Sequence, residues 1–316
     1  MKYRQLGATG LKVSEIGFGA WGIGGNVNGS VAYGPTDDNE SRRALQRAFE
    51  LGITFYDTAD FYGFGHSEEL IGQALRDVRA QVVIATKVGL LDATGRYDFT
   101  RRHIKHSIEG SLRRLGTDYV DLYQLHSPPM DALDDGVLAT LQLLQAEGKI
   151  RAFGISVRSP DDGLVAISLF GFKCIQVNFN LVDQRALENG LIQKCEAENV
   201  GIIVRTPLCF GFLTGDYSVN SRFEESDHRA RWAPQQVQRW AEALQVFQDD
   251  AGKVGKPTYF ALRFCLSYSA VSTAIPGMLK VQHVEENVIA SGLESLSESK
   301  LRGIEKIYRS KHFFLA

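Results

Sequence analysis

Asp57, Tyr62, Lys87 and His126 are the side chains of this sequence whose types and placement fit chemistry, and that chemistry is proton transfer to an oxygen. A phenol with a pKa of about 10 is a poor proton donor and acceptor at neutral pH, and an adjacent ammonium lowers that value by stabilising the phenolate. Lys87 beside Tyr62 supplies the ammonium, and Asp57 can hold Lys87 charged and oriented. His126 can hydrogen-bond the Tyr62 oxygen or a substrate carbonyl. Together they suit delivery of a proton to an oxygen as it gains negative charge. Taken singly, Asp57 reads as a cap or ion-pair partner, Lys87 as a snorkelling strand end, Tyr62 as a packing aromatic and His126 as a satisfied histidine. Their joint position is what argues for function, and the other six histidines keep a structural reading.

The four fall where short apolar runs stop: Ile53-Thr54-Phe55-Tyr56, then Val82-Val83-Ile84-Ala85-Thr86, then Tyr119-Val120-Asp121-Leu122-Tyr123-Gln124-Leu125. β-Branched and aromatic runs of this length read as buried strands, which puts the polar groups at strand C-terminal ends, where parallel α/β folds carry their chemistry. Strand and helix signals alternate along the chain. A hairpin is predicted from 3–6 and 13–16, and a first helix starts at the capping box Asp37-x-x-Glu40 and closes at Gly52. Strands follow at 53–57, 82–87, 119–125, 151–156, 175–178, 202–206 and 271–275, with helices at 67–77, 100–115, 133–147, 161–170, 186–199, 235–251, 257–268 and 281–290. With a strand at 16–19 this makes eight strand-helix units, so the expected fold is an α/β (β/α)8 TIM barrel with an N-terminal β-hairpin. An open doubly wound sheet is the alternative, because periodicity does not see closure. The connections 20–36 and 207–234 are long, follow strands and are expected to line the mouth at the C-terminal face.

No composition break or low-complexity tract divides residues 1–316, which reads as one domain. The hydrophobic share of 44% and charged share of 23% are ordinary for a globular chain with a large core. A formal net charge of -2 without a basic stripe argues against nucleic acid or membrane surface and for a small-molecule partner. Cys174, Cys195, Cys209 and Cys265 are widely spaced in apolar surroundings and read as buried free thiols, not disulfides or metal ligands. With no apolar leader after Met1, a cytoplasmic location is expected. Gly17-x-Gly19-x-x-Gly22, with Asp37 some way beyond, matches a dinucleotide-binding spacing, but Gly22-Ile23-Gly24-Gly25-Asn26 runs on as loop where that fingerprint opens a helix.

Asp57-Thr58-Ala59-Asp60-Phe61-Tyr62-Gly63, the strand end at Lys87, Asp121-Leu122-Tyr123-Gln124-Leu125-His126 and Ile275-Pro276-Gly277 together resemble the aldo-keto reductase family along essentially the whole chain. The resemblance implies an eight-stranded barrel that binds a nicotinamide cofactor without a Rossmann domain, and a catalytic tetrad of Asp57, Tyr62, Lys87 and His126. It implies that Gly19, Ala20 and Trp21 touch nicotinamide and substrate, with Asp57 close to the cofactor, and that Ser156 and Gln176 bond its carboxamide. Pro207, Leu208, Gly211, Leu213 and Gly215 resemble the loop around the pyrophosphate, where glycine lets backbone amides approach anionic oxygen. Gly277, Met278, Lys280, His283, Glu286 and Asn287 match the segment around the adenosine and its 2′-phosphate; a helix start there favours phosphate in its own right.

The chain departs from the family pattern at Val157, where asparagine is common, at Arg205, where an aromatic stacks on the nicotinamide, and at Leu279, where arginine is frequent. A guanidinium can stack or donate in that aromatic's place. NADP(H) is the expected cofactor, with NAD(H) as the alternative. The expected activity is reduction of an aldehyde or ketone, with Trp21, Phe61 and the loop after Lys87 shaping an apolar pocket. The rival readings are a nicotinamide-binding regulatory subunit with little turnover, like the ion-channel β subunits of this fold, and a metal-dependent barrel hydrolase. The hydrolase lacks the cluster of histidines and carboxylates it needs.

Overall fold

Side chains alternate between the two faces of a strand, and in this chain that alternation fills the inside of a ring. Phe55, Ala85, Leu122, Ala152, Cys174, Ile203 and Ile275 form one buried cluster with Leu6, Leu11 and Val13. The computed structural model describes residues 1–26 and 31–315, apart from the side chains of residues 248 and 249, so residues 27–30 of the predicted 20–36 connection lie outside the described residues. Strands β1 (Tyr3–Gln5) and β2 (Lys12–Ser14) pair antiparallel as the predicted hairpin. The ring strands are β3 (Phe18–Gly19), β4 (Phe55–Asp57), β5 (Val83–Val88), β6 (Val120–His126), β7 (Ile150–Ser156), β8 (Cys174–Asn178), β9 (Gly201–Arg205) and β10 (Val271–Ile275). They pair in parallel in sequence order.

Bridges from Ile16 to Ala274 and from Gly19 to Gly277 bring β3 back to β10, so the sheet is a barrel and not an open sheet. Glycine is needed at that seam: a Cβ on Gly19 would stand 2.7 Å from the carbonyl oxygen of Ile275. Gly17 and Gly19 therefore serve closure, and Gly22–Gly24 is a single 3-10 turn that opens no long helix. The hairpin plugs the N-terminal end, with the Ala8 amide donating to the Asn199 carbonyl at 2.9 Å.

Helices α1 (Asp38–Glu50), α2 (His66–Ala74), α3 (Arg101–Leu115), α4 (Asp135–Ala146), α5 (Pro160–Phe170), α6 (Arg185–Glu188) and α7 (Leu191–Ala197) cover the outside. They are followed by α8 (Pro234–Ala243), α9 (Gln248–Val254), α10 (Pro257–Leu266), α11 (Val281–Gly292) and α12 (Glu298–Arg309). Asp37 caps α1 by accepting from the Asn39 and Glu40 amides, but Glu40 does not complete the box; it turns to Arg43 and to the Val281 amide. The predicted helix 186–199 breaks into α6 and α7 because Gly190 adopts φ 83° and the Asn189 side chain accepts from the Leu191 amide. The predicted helix 235–251 is interrupted by a 3-10 turn, Leu244–Phe247, that packs Phe247 against Phe313. Helix α12 escapes the sequence pattern because Ile304 is its one fully buried apolar side chain.

The two long connections clasp one another. Asp227 bridges to Ala32 and Tyr33, the His228 amide donates to the Ala32 carbonyl at 2.9 Å, and the His228 ring lies 4.7 Å from Trp21 and 4.8 Å from Tyr33. Arg229, paired with Asp227, lies over the rings of Tyr33, Tyr217 and Phe223. Among the described residues no helix is long and apolar enough to cross a membrane.

Candidate active site

Two residues beyond the apolar layer, the same strand faces turn polar. Phe55 leads to Asp57, Ala85 to Lys87, Leu122 to Gln124, Cys174 to Gln176 and Ile203 to Arg205. One more step along β6 gives His126, and one more step past Gly154 on β7 gives Ser156. The polar layer thus follows from strand period and barrel register together.

Lys87 is fully buried and all three of its protons are engaged: Nζ donates to Asp57 Oδ2 at 2.6 Å, to the Thr58 carbonyl at 2.8 Å and to Tyr62 Oη at 3.1 Å. Asp57 Oδ1 accepts from Gln124 Nε2 at 3.0 Å and from Gln176 Nε2 at 2.7 Å. Tyr62 is not at a strand end as the sequence pattern implied. It opens a 3-10 turn, Tyr62–Gly65, five residues beyond Asp57, whose bend needs Gly63 at φ 61° and puts Phe64 at φ 52°. His126 meets the Tyr62 ring edge-on at 5.7 Å without a hydrogen bond to it, and its Nδ1 is buried without a protein partner.

Burial raises the Tyr62 pKa, and Lys87 lowers it by less, so the phenol titrates above its ordinary range. This corrects the expectation of a net depression: the ammonium does act in the expected direction, and burial outweighs it. Burial disfavours the Lys87 ammonium, but Asp57 and Tyr62 more than offset that and lift its pKa above the ordinary value. Burial, with Lys87 and Arg205 nearby, drives His126 well below its ordinary value, so its imidazole is neutral at pH 7. An ammonium only donates, so the Tyr62 oxygen is the acceptor in their bond and its own proton is free to point elsewhere.

The remaining residues singled out in the sequence ring this layer. Gly19 ends β3 with Ala20 and Trp21 just beyond it, Ser156 ends β7, and Arg205 ends β9 with Nη2 on the Val157 carbonyl at 2.9 Å. Pro207 and Leu208 lead into the 3-10 turn Cys209–Thr214, which holds Gly211 at φ 96° and Leu213 and is closed by Gly215 at φ 92°. Gly277 and Met278 follow β10; Lys280 is the N-terminal residue before α11, and His283, Glu286 and Asn287 lie on it. Ala20, Leu213 and Met278 are buried, and the Ala20 backbone is engaged on both sides, its amide donating to the Asp57 carbonyl at 2.9 Å and its carbonyl accepting from Ser67 Oγ at 2.9 Å. Gln176 is drawn into the Asp57 network, its Nε2 donating to Asp57 Oδ1 at 2.7 Å and to Gln124 Oε1 at 3.3 Å. Glu286 is held by Lys256 at 2.8 Å and by Thr258 at 2.7 Å. Gln124 and the Thr58 carbonyl are the site groups that sequence reasoning passed over; Gln124 was legible as the inward residue two before His126.

These residues fit a nicotinamide dinucleotide. Arg205 Nε is buried without a partner at the mouth, a Cβ on exposed Gly277 would meet only Tyr33 at 4.0 Å, and exposed Lys280 caps nothing at the start of α11. Among the described residues no group of three or more His, Cys, Asp or Glu is arranged to hold a metal ion.

A parallel eight-stranded barrel with a buried Lys–Asp–Tyr cluster at its C-terminal face defines an oxidoreductase of the aldo-keto type. The chain matches the Aldo/keto reductase family over residues 15–309 and belongs to it. It is 30% identical to the aldo-keto reductase yakc [NADP(+)] of Schizosaccharomyces pombe, covering 93% of this chain and 88% of that protein. It is 28% identical to the Oryza sativa subsp. japonica protein named "Probable voltage-gated potassium channel subunit beta", covering 98% of each. Among solved structures, the glycerol dehydrogenase AKR11B4 of Gluconobacter oxydans superposes with a TM-score of 0.82 at 29% identity, covering 98% of this chain and 95% of that one. Aldo-keto reductases use nicotinamide cofactors and act on small carbonyl compounds.

Proposed function

We propose that this chain, acting as one barrel unit in the cytoplasm, reduces an aldehyde or ketone to the alcohol with NADPH, and that Tyr62 delivers the proton. The observation that carries the reading is the threefold engagement of Lys87, whose third proton lies on Tyr62 Oη at 3.1 Å and directs the phenol's own proton outward. The bound nicotinamide supplies the hydride. As the carbonyl oxygen gains charge it takes the Tyr62 proton, and the phenolate left behind is stabilised by the Lys87 ammonium already beside it. Asp57, fixed by Gln124 and Gln176, keeps that ammonium in place. Neutral His126 positions the carbonyl by a hydrogen bond, a role open to it because protonation is disfavoured there.

Lys280 at the start of α11 supports NADP over NAD, as does the cofactor in the name of the yeast relative. Ser156, the Gln176 carbonyl oxygen and Arg205 are the groups we assign to the nicotinamide end, and the turn through Gly211 and Gly215 to the pyrophosphate. Four buried free thiols suit a reducing compartment. A panel of aldehydes and ketones assayed by loss of the reduced cofactor's near-ultraviolet absorbance tests the activity. Tight NADPH binding with no turnover across the panel would favour the regulatory-subunit reading instead.

A further inference from the structure

A second cleft, of about 260 Å³, opens beside the barrel mouth between α3 and the turn that carries Tyr62. Its apolar side holds Phe61, Phe64 and Leu91, and Phe64 and Leu91 are 47% and 37% exposed. Phe64 is held on a left-handed backbone, φ 52°, which few residues other than glycine adopt, and that turn sets its half-exposed ring edge-on to Phe61 at the side of the cleft. Asp60 lies on the inner side. Its Oδ2 accepts from Ser107 at 2.5 Å, whereas its Oδ1 is buried without a protein partner. His103 Nε2, in the same lining, is likewise buried and unpartnered. Two unpaired buried polar atoms in one cleft are uncommon in native proteins and call for a partner.

The third wall is one face of α3. Gly110 brings the helix backbone to the cleft floor, where an added Cβ would already stand 3.0 Å from Arg114 Nη1. Arg114 is committed to Glu68 at 2.6 Å, so exposed Arg113 and His106 are the basic groups at the rim. An acceptor within, rings at the side and the Arg113 guanidinium with the His106 imidazole at the rim form a gradient that a ligand of matching length would satisfy.

We propose that this cleft is a second ligand site, for a small aromatic acid that carries a hydroxyl or amino donor at the end opposite its carboxylate. The ring lies against Phe61, Phe64 and Leu91, the donor bonds Asp60 Oδ1, and the carboxylate pairs with Arg113 and His106. The cleft adjoins the reduction site and shares Phe61 with it, the ring lying 6.3 Å from His126 on one side and 5.7 Å from Phe64 on the other, while Asp60 and the α3 face lie on the cleft side alone. Its occupancy does not depend on the proposed reduction.

Isothermal titration of the full chain with 4-hydroxybenzoate, in the presence and absence of NADP+, tests it. The expected result is one saturable site under both conditions, with benzoate and phenol each weaker by at least about tenfold, since each lacks one of the two polar contacts. Gly110→Leu should abolish binding by filling the floor; because it also presses on Arg114, its fold is checked by circular dichroism, and Arg113→Glu carries the test where that spectrum changes. Arg113→Glu, an exposed change that spares folding, should weaken 4-hydroxybenzoate at least about tenfold and leave phenol unchanged. No saturable heat, wild-type affinity in both variants, or displacement by NADP+ or by a reducible carbonyl compound would overturn the proposal.

Discussion

Lys87→Met keeps much of the buried stem and removes its charge, which separates two roles that the ammonium combines. In the variant, Asp57, 2% exposed, loses the 2.6 Å contact at Oδ2 and keeps only the Gln124 and Gln176 donors at Oδ1. Removing one partner of a buried pair costs about 3–5 kcal/mol, much of it for the charge left behind. The two carboxamide donors offset part of that, so we expect a loss of about 2–4 kcal/mol in urea unfolding with an unchanged denaturant slope. Adding Asp57→Asn removes the stranded charge, and the double variant should regain most of the stability while remaining inactive. Turnover has a separate signature. Burial already raises the Tyr62 pKa against the Lys87 contribution, so deleting Lys87 should move the alkaline limb of any residual reduction further upward. A single variant as stable as the wild type, or a double variant less stable than the single one, refutes the stranded-charge account; an unmoved alkaline limb refutes the electrostatic role toward Tyr62.

Tyr62→Phe should lower carbonyl reduction by at least about a hundredfold with cofactor affinity nearly unchanged, and near-normal turnover in a steady-state assay would remove Tyr62 from the mechanism. Lys280→Ala should weaken NADPH by about 1.5–3 kcal/mol and leave NADH untouched in a fluorescence titration; equal losses would point to another reader of the phosphate, with Arg222 the next candidate. Burial and Glu68 push the Asp60 carboxyl up to about 7, against Ser107 and Arg114. Its folded pKa thus exceeds the unfolded value, so the stability it lends is full below about pH 4 and is lost as pH rises through the folded pKa. Asp60→Asn should flatten that decline and exceed the wild type at pH 8 by at least about 1 kcal/mol, and parallel pH curves for the two proteins would contradict the shift.

Local period reads out well where a polar side chain caps the helix start, as it does for α1, α3, α4, α5 and α12. Val83–Val88 and Val120–His126 differ from the predicted runs by one residue at each end, and Asp37, Thr100 and Ser159 cap the helices that follow them. What fails to read out is whatever a distant partner decides. Glu40 leaves its own helix start for the Val281 amide, 241 residues on, and no local rule anticipates that exchange. The helix over 235–251 breaks so that Phe247 meets Phe313, a contact between segments without a shared period. The clasp of Ala32 and Tyr33 on Asp227 is of the same kind, since only the barrel brings the two loops to one mouth.

The site divides along the same line. Asp57, Lys87 and His126 are visible in the sequence because each ends an apolar run, and barrel register then makes them neighbours. Tyr62 is visible only by its nearness to Asp57; its position depends on a turn whose left-handed residues, Gly63, Phe64 and Gly65, carry it back beside Lys87. Its protonation is less visible still. Composition places a cation next to a phenol and so suggests a depressed pKa, but the sign is set by how deeply the barrel buries the pair. Here burial prevails, and the consequence is chemical: a phenol raised above its ordinary range holds its proton at neutral pH and can release it only as negative charge develops on a neighbouring oxygen. In the proposed reduction Lys87, with every proton engaged, would then stabilise the phenolate without itself moving or giving up a proton.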